Sequence, residues 1–518
     1  MSPAIPFMQR FLAVALAAAL APSAASVPPG QGAFGAAAVL PPDASVVVRL
    51  RDARELRKSP TWQPTQAVLS KLALPRILTQ SWDRLAGELG EEPSTLVDRL
   101  IGADVVYAER PRQDGIEWVI VARVDPSLRD LLVDRLKPAP GAGGRATFAA
   151  QQVTSAWRPP HLVLAPSDRS ALFEEVVARI DADGTKGSLA ELPEVAAGAE
   201  WEPAPIEVVL AHGPGIGGAS ILSARASGDT IRIRHRGRFA RPPLHIAPGG
   251  PADVGLLAEL APSSILALSM NPWRGEPDDR ELVDSILLEG AIDDAMRANM
   301  GARQVLVVGE SELDGMRVRV PTLAVAFELR DALLAEKQWD GWARRFSESV
   351  SRRAGMGDPG IASAAAGAPR TCDLGPAVRA LFADHPFARP VRLSWVTLQG
   401  SNGAWQVVAS DPALLQRVSA AIGRARRVAD PDDANEVGIL SGRALAAHLR
   451  TWGASATMFV PETPEPFAEA VEVAADMAAA ANVVRWRARA PLPGIIESEL
   501  VVEVPPPAGE GGQAAPRP

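Results

Sequence analysis

The 518-residue sequence contains one cysteine, one tyrosine and six histidines, and these shortages exclude several kinds of site. A single cysteine, Cys372, excludes an internal disulfide and any metal site built from several thiolates. The histidines form no HxH, HxxxH or HExxH pair, and neither GxSxG nor SxxK occurs. We therefore expect no metal site, no cofactor and no local hydrolase motif.

The sequence also lacks an excess of positive charge and long apolar runs. It has 53 basic and 61 acidic residues, a net charge of −8, which gives no general attraction to nucleic acid or anionic lipid. Specific nucleic-acid recognition is therefore not expected. Beyond residue 21 no stretch reaches eighteen consecutive apolar residues, so no transmembrane helix is expected after signal cleavage.

The N-terminal residues have the pattern of a signal peptide. Arg10 precedes an unbroken apolar run over residues 11–21, and Ser23, Ala24 and Ala25 are the small residues that signal peptidase accepts. We interpret residues 1–25 as a cleaved signal and expect a periplasmic or extracellular protein. The cleavage site has no cysteine, so a lipoprotein anchor is not expected.

The rest of the chain contains two similar passages. Residues 161–180 read as an apolar strand, a Ser-Asp pair and an amphipathic helix, and residues 405–422 repeat that order. Residues 118–136 and 323–339 form a second matching pair, each a strand that leads into a helix beginning near an aspartate. The sequence therefore predicts one module present in two tandem copies.

Composition gives the module boundaries. Residues 240–254 contain four prolines and two adjacent glycines, which cannot continue a helix or strand. Strands that arrive in adjacent pairs, interrupted by single helices, favour an α+β fold with a largely antiparallel sheet and helices packed on it. The expected segments are a flexible lead-in, a first module, a Pro/Gly linker, a second module and a disordered tail, at residues 26–39, 40–239, 240–257, 258–504 and 505–518.

A family resemblance rests on the start of the first module. The passage from Leu40 to Arg49 reads Leu-Pro-Pro-Asp-Ala-x-Val-Val-x-Arg, and Trp62 and the Trp118-x-x-Val-Ala-Arg-Val passage follow it. These residues resemble secreted bacterial proteins of the uncharacterised DUF3352 group. The likeness covers about the first 180 residues well and the second half more loosely. It implies an exported envelope protein and no particular activity.

Asp181 and Asp183 lie in Asp-Ala-Asp-Gly-Thr, which resembles the first motif of haloacid-dehalogenase-type phosphohydrolases. In such enzymes the first aspartate attacks phosphorus, the second handles the leaving-group proton, and Mg²⁺ masks their charge. That motif must end a buried strand, whereas the preceding apolar residues here have helical spacing. We therefore expect a polar turn after a helix, and metal-dependent phosphohydrolysis stays as the alternative function.

Two further motifs have simpler interpretations. Residues 213–218 match GxGxxG, but the sequence after them favours a strand, whereas a dinucleotide site needs a helix there. Residues 430–433 with Glu436 carry enough carboxylates for a cation, but a solvated acidic turn explains them.

Two sets of arginines alternate along predicted strands. The arginine row consists of Arg232, Arg234, Arg236 and Arg238, and the second row of Arg485, Arg487 and Arg489. Alternation places each set on one sheet face, where guanidinium groups can bind phosphate or carboxylate. Carboxylates of a neighbouring strand can also neutralise such a row.

For the second row, a hairpin turning at Leu492 would set Arg487 opposite Glu497 and Arg485 opposite Glu499. Residues 220–226 offer the arginine row no such acids. We therefore take the arginine row as the candidate binding residues. The sequence as a whole predicts an exported, non-enzymatic envelope protein that binds a surface or acts as a scaffold. Its expected partner is an anionic envelope polymer or another envelope protein.

Overall fold

The structure of the protein is a computed structural model. It describes residues 35–52, 61, 63, 83–112, 115–149, 152–167, 171–182, 186–211, 216–239, 250–271, 294–312, 319–353, 368–373, 392–400, 402–459, 465–492 and 494–504. The expected signal peptide, residues 1–25, and the expected tail, residues 505–518, lie outside these ranges. The chain divides into two compact units, Met1–Arg241 with Gly494–Pro518, and Pro242–Pro493.

Strands account for much of both units. In chain order they are β1 (Val46–Arg51), β2 (Asp104–Arg112), β3 (Gly115–Arg123), β4 (Ala139–Pro140), β5 (Arg145–Phe148), β6 (Val153–Arg158), β7 (His161–Pro166), β8 (Ile206–Ala211), β9 (Ile216–Ser227), β10 (Thr230–Phe239), β11 (Leu266–Met270), β12 (Met300–Glu312), β13 (Arg319–Leu329), β14 (Arg370–Asp373), β15 (Arg392–Gly400), β16 (Gly403–Ala409), β17 (Glu436–Ser441), β18 (Val483–Leu492) and β19 (Ile495–Glu503).

The helices pack on these strands. They are α1 (Pro93–Ile101), α2 (Pro126–Leu136), α3 (Ala171–Ala182), α4 (Pro193–Gly198), α5 (Val254–Leu260), α6 (Asp294–Asn299), α7 (Ala332–Arg353), α8 (Pro412–Arg424), α9 (Gly442–Phe459) and α10 (Glu465–Ala480). Residues 83–89 are also helical. Within the described part of the chain, no helix has both the length and the apolar character needed to cross a membrane.

Neighbouring strands pair antiparallel throughout the described sheets. In the first unit the order is β4-β5-β6-β7-β3-β2-β1-β8-β9-β10-β19. In the second unit it is β14-β15-β16-β13-β12-β11-β17-β18. The predicted α+β fold with a largely antiparallel sheet is confirmed.

The central strands of the two units, β1 and β11, have matching backbone hydrogen bonds. In the first unit, Ser45 N donates to Glu109 O at 2.8 Å and Ala211 N donates to Ser45 O at 2.9 Å. In the second unit, Ile265 N donates to Val308 O and Ser441 N donates to Ile265 O, both at 2.8 Å. Ser45 and Ile265 therefore each bond to both of the strands that flank the central strand of their unit.

Each sheet has a packed core on both faces, because consecutive strand residues point to opposite sides. In β7, Leu162 and Val163 belong to different apolar clusters. The Val163 cluster contains the buried face of α3, and the Leu162 cluster that of α1 and α2. In the second unit, α5 and α8 cover one face, while α7 packs Trp339 and Trp342 on the other. Burial on both faces explains why β1 reads as a continuous apolar run in the sequence.

Aspartates begin several helices, as the sequence predicts. Asp125 accepts hydrogen bonds from the backbone N–H groups of Ser127 and Leu128 at the start of α2, at 2.8 and 3.2 Å. Asp411 accepts one from Leu414 N at 2.9 Å at the start of α8. These contacts satisfy N–H groups that have no partner within a first helical turn.

Three segments differ from the expected boundaries. Within the expected lead-in, residues 35–39 form a 3₁₀ helix whose Ala36 and Ala37 pack in the first core. Within the expected linker, Asp253 caps α5, whose leucines enter the core of the second unit. The last strand, β19, was expected in the second module but belongs to the first unit, where it pairs with β10. Periodicity cannot identify the partner of a terminal strand.

Candidate functional site

The arginine row lies on β10, which pairs with β9 on one side and with β19 on the other. In the register of β10 and β19, Arg234 is opposite Glu499 and Arg236 is opposite Glu497. Arg236 Nη1 is 2.6 Å from Glu497 Oε1, and Arg234 Nε is 3.3 Å from Glu499 Oε1. The row thus faces carboxylates from the end of the chain.

The remaining arginines of the row also have acidic partners. Arg232 Nε is 3.4 Å from Glu499 Oε1, so Arg232 and Arg234 share one carboxylate. Arg238 Nε is 2.6 Å from Oε1 of Glu194, a buried residue of α4. Four guanidinium groups therefore face three carboxylates. The side chains of Arg232 and Arg234 remain 53% and 45% exposed.

The expectation that β9 offers this row no acids holds, but the acids come from β19 and α4 instead. A sequence signal existed, since Glu497 and Glu499 alternate with the same period as the arginines. These glutamates were expected opposite the second row, and the register of β10 and β19 places them opposite the arginine row as well. The second row lies on β18, which pairs with β17. There Arg487 makes an ion pair with Asp432.

His235 lies between arginines in sequence and projects from the other face of β10. Its Nε2 is 2.7 Å from Ser220 Oγ on β9, and its Nδ1 is 3.3 Å from Ser498 Oγ on β19. Burial lowers the pKa of His235 from its ordinary value, because the interior disfavours the charged ring. This chain of hydrogen bonds links three adjacent strands through a neutral imidazole.

Asp181 is in the last turn of α3, with Asp183 outside the described residues. Its exposed side chain bonds to Arg158, with Arg158 Nη2 donating to Asp181 Oδ2 at 3.0 Å. This hydrogen bond lowers the pKa of Asp181. A helical, exposed aspartate paired with arginine differs from the buried strand end that the phosphohydrolase motif requires. It differs also from the expected turn after the helix, because the helix continues through Asp181 to Ala182.

The two other motifs have structural roles. Residues 216–218 of GxGxxG are the first residues of strand β9, so a strand and not a helix follows the motif, while residues 213–215 lie outside the described residues. Asp430 was expected in a solvated turn but is buried. It accepts hydrogen bonds from Asp432 N and Ala434 N at 3.0 and 3.2 Å. Among the described residues, no group of three or more His, Cys, Asp or Glu side chains could hold a metal ion.

A cavity of about 700 Å³ lies in the second unit, at the end of the sheet where α9 begins. It is lined by residues of the turn before β11, of β12, α8, β17, α9 and β18. Two cationic side chains, Arg417 and Arg485, line it, together with the carboxylate of Glu310. Serine hydroxyls supply the other polar groups, and they come from Ser263, Ser264, Ser311 and Ser441.

Three contacts fix the polar groups of this cavity. Glu310 Oε1 is 3.0 Å from Nδ1 of His448, a buried residue of α9. Ser441 Oγ accepts a hydrogen bond from Ala444 N at 3.3 Å in the first turn of α9. Arg417 Nη2 donates to the backbone oxygen of Glu310 at 3.4 Å. Sequence reasoning missed the cavity because its residues are spread over more than 220 positions of the chain.

The geometry offers two distinct surfaces, an ion-paired arginine row in the first unit and a polar cavity in the second. Comparison of the chain with protein-family models, with curated proteins and with solved structures finds no match.

Proposed function

We propose that the protein is an exported, non-enzymatic binding protein of the cell envelope, built by duplication of one α+β module. The signal pattern of residues 1–25 supports export. The observation that carries the binding function is the arginine row, which has one more guanidinium group than carboxylates and two half-exposed members.

Duplication is supported by the strand order and by hydrogen bonds. Read from β6, the first unit pairs β6-β7-β3-β2-β1-β8-β9, and the second pairs β15-β16-β13-β12-β11-β17-β18 in the corresponding order. The bonds around Ser45 and Ile265 agree in register. A one-residue slip would exchange the two faces of a strand, so agreement in register is a demanding criterion.

The proposed ligand of the row is an anionic envelope polymer. Arg232 and Arg234 share Glu499, so each guanidinium group retains N–H donors for phosphate or carboxylate groups. Exposed ion pairs of this kind stabilise a protein by only about 0.2–1 kcal/mol, so a polymer with many anionic groups can compete with Glu499.

The test compares an Arg232→Ser/Arg234→Ser variant with the wild type in binding to polyphosphate, measured across a salt series. We expect the slope of log K against log salt concentration to fall by roughly one per arginine removed. The matched control is Arg424→Ser/Arg450→Ser, which removes two exposed arginines that also pair with carboxylates, Glu259 and Asp476.

Glu499→Gln supplies a change of the opposite sign. It removes the carboxylate that two arginines share, so polyphosphate binding should become tighter. Equal losses in the test and control variants, or no effect of Glu499→Gln, would contradict a binding role for the row.

A further inference from the structure

The cavity of the second unit has the size of a ligand site. Its volume of about 700 Å³ falls within the range of roughly 300–1,000 Å³ typical of small-molecule pockets. Its walls come from the ends of β12, β17 and β18 and from the first turn of α9. These are hydrogen-bonded elements, so the polar groups have defined positions.

Arg417 is placed in this cavity by a glycine. A Cβ atom at Gly309 would lie 3.1 Å from Arg417 Nη2 and 3.3 Å from a methyl group of Leu414. The guanidinium group of Arg417 therefore lies against the backbone of β12 at Gly309, where the strand has no side chain. Within the described residues it makes one hydrogen bond, the long contact to Glu310 O at 3.4 Å. A guanidinium group has five N–H donors, so most of its capacity is available to a ligand.

In the first unit, the position that corresponds to Gly309 holds an arginine that is paired with carboxylates. Since Glu109 and Val308 accept matching backbone bonds, the next residues along β2 and β12, Arg110 and Gly309, are equivalent. Arg110 is buried, and its guanidinium group lies 2.9 Å from carboxylate oxygens of both Glu117 and Glu175. The sheet cation of the first unit thus reaches a helix carboxylate, whereas the second unit has glycine on the sheet and arginine on the helix.

Hydroxyl groups beside Arg417 supply neutral donors and acceptors. Ser441 accepts from Ala444 N, which leaves its own O–H proton for a ligand. Ser264 Oγ donates to Leu260 O at 2.7 Å, so its lone pairs remain available as acceptors. The first turn of the 18-residue helix α9 lies at the same wall and adds a favourable potential for negative charge.

The charges of the cavity favour an anion. Two guanidinium groups, those of Arg417 and Arg485, line the cavity, and its carboxylate, that of Glu310, is hydrogen-bonded to His448. We infer that this cavity binds a small organic anion, a hydroxylated molecule that bears a phosphate monoester or a carboxylate. Arg417 holds the anionic group, and the hydroxyls of Ser264 and Ser441 bind the polar body.

The inference is tested by calorimetric titration of the full chain with glycerol phosphate, with glucuronate and with neutral glycerol. We expect saturable binding of at least one of the two anions, in the millimolar range or tighter, and none of glycerol. Binding of glycerol phosphate alone identifies a phosphate site, and binding of glucuronate alone identifies a carboxylate site. Absence of saturable binding by both anions overturns the inference.

Variants locate the binding in the cavity. Arg417→Gln should weaken the affinity about tenfold or more, because a charge-assisted contact is lost. Arg424→Gln, on the same helix but paired with Glu259 outside the cavity, should leave it unchanged. Equal weakening by both variants overturns the inference, since it would indicate a general charge effect.

A second variant keeps every charge. Ala444→Phe adds a ring at the cavity wall formed by the first turn of α9 and should abolish binding by filling the space. Circular dichroism and thermal unfolding verify that each variant is folded. If folded Ala444→Phe binds as well as the wild type, the ligand lies elsewhere and the inference fails.

Discussion

Replacing Arg303 by methionine should strongly destabilise the second unit. Arg303 is 5% exposed, and its Nη1 is 2.9 Å from Asp253 Oδ2 while its Nη2 is 2.7 Å from Glu328 Oε1. Its Nη1 and Nη2 also donate to the side-chain and backbone oxygens of Asn402 at 2.9 and 2.8 Å. The guanidinium carbon lies 5.0 Å from the centre of the Trp405 ring. One side chain thus connects α5, β12, β13 and β16.

The magnitude follows from what the substitution leaves behind. Methionine fills much of the volume but leaves the carboxylate of Asp253, a 2% exposed residue, without its counter-charge. Removing one partner of a buried ion pair costs about 3–5 kcal/mol. Asp253 still accepts hydrogen bonds from Leu256 N and Val428 N, both at 3.2 Å, which limits the loss. We therefore expect a decrease of about 3–5 kcal/mol in the free energy of unfolding.

Urea unfolding followed by tryptophan fluorescence measures this change. Arg424→Gln breaks an exposed pair with Glu259 and should cost less than about 1 kcal/mol. A loss below about 1 kcal/mol for Arg303→Met, or one equal to that of the control, would refute the reasoning that Arg303 neutralises buried carboxylates.

The same substitution has a pH signature. Burial alone would raise the pKa of Glu328, but hydrogen bonds and the charge of Arg303 outweigh it and hold that pKa below the ordinary value. This contribution to stability is complete above the unfolded pKa of about 4.3 and is lost as the pH falls through the folded pKa. Without the side chain of Arg303, burial is opposed only by the backbone N–H groups of residues 302 and 303, so this loss of stability at low pH should become smaller or disappear.

Two more predictions concern glycines and a histidine. Gly442→Ala should destabilise the second unit, because a Cβ atom there would lie 1.6 Å from Ala481 O. Gly423→Ala in helix α8 should stabilise the unit by about 0.5–1 kcal/mol, because its Cβ atom would have nothing within 4 Å. The urea midpoints of the two variants measure both effects. Burial lowers the pKa of His235, so the unfolded chain binds the proton more readily and stability should decrease as the pH falls below about 6.5. His235→Gln should remove that part of the pH dependence. If the free energy of unfolding of this variant changes with pH as in the wild type between about pH 7.5 and 5.5, where histidine titrates, the prediction is wrong.

Local patterns were sufficient to predict many elements of the fold. The strand before α3 and the helix itself follow from an apolar run and helical spacing. Asp125 and Asp411 mark helix starts because a capping carboxylate acts on N–H groups two or three residues away. α5 was missed because the prolines and glycines before it outweighed the cap at Asp253 and the leucines that follow.

The partners of buried and paired charges could not be predicted in the same way. Arg234 and Glu499 are 265 positions apart, and Arg303 and Asn402 are 99 apart. No periodicity connects such positions, since their proximity depends on which strands become neighbours. The cavity is a harder case, because it requires both the position of Arg417 on α8 and the absence of a side chain at Gly309 on β12.

Arg110 of the first unit and Arg417 of the second lie between a sheet and a helix, but they differ in their partners. In the first unit, Arg110 pairs with Glu175 of α3, so the charges between sheet and helix neutralise one another. In the second unit, the core of α8 against β12 is apolar and does not depend on Arg417, whose side chain is exposed. A folded chain does not need a cation in that position, and within the described part of the chain Arg417 makes only the long hydrogen bond to the backbone oxygen of Glu310. The proposed anion site thus uses an arginine that the apolar core of α8 does not require, whereas Arg110 belongs to an ion-paired contact between sheet and helix.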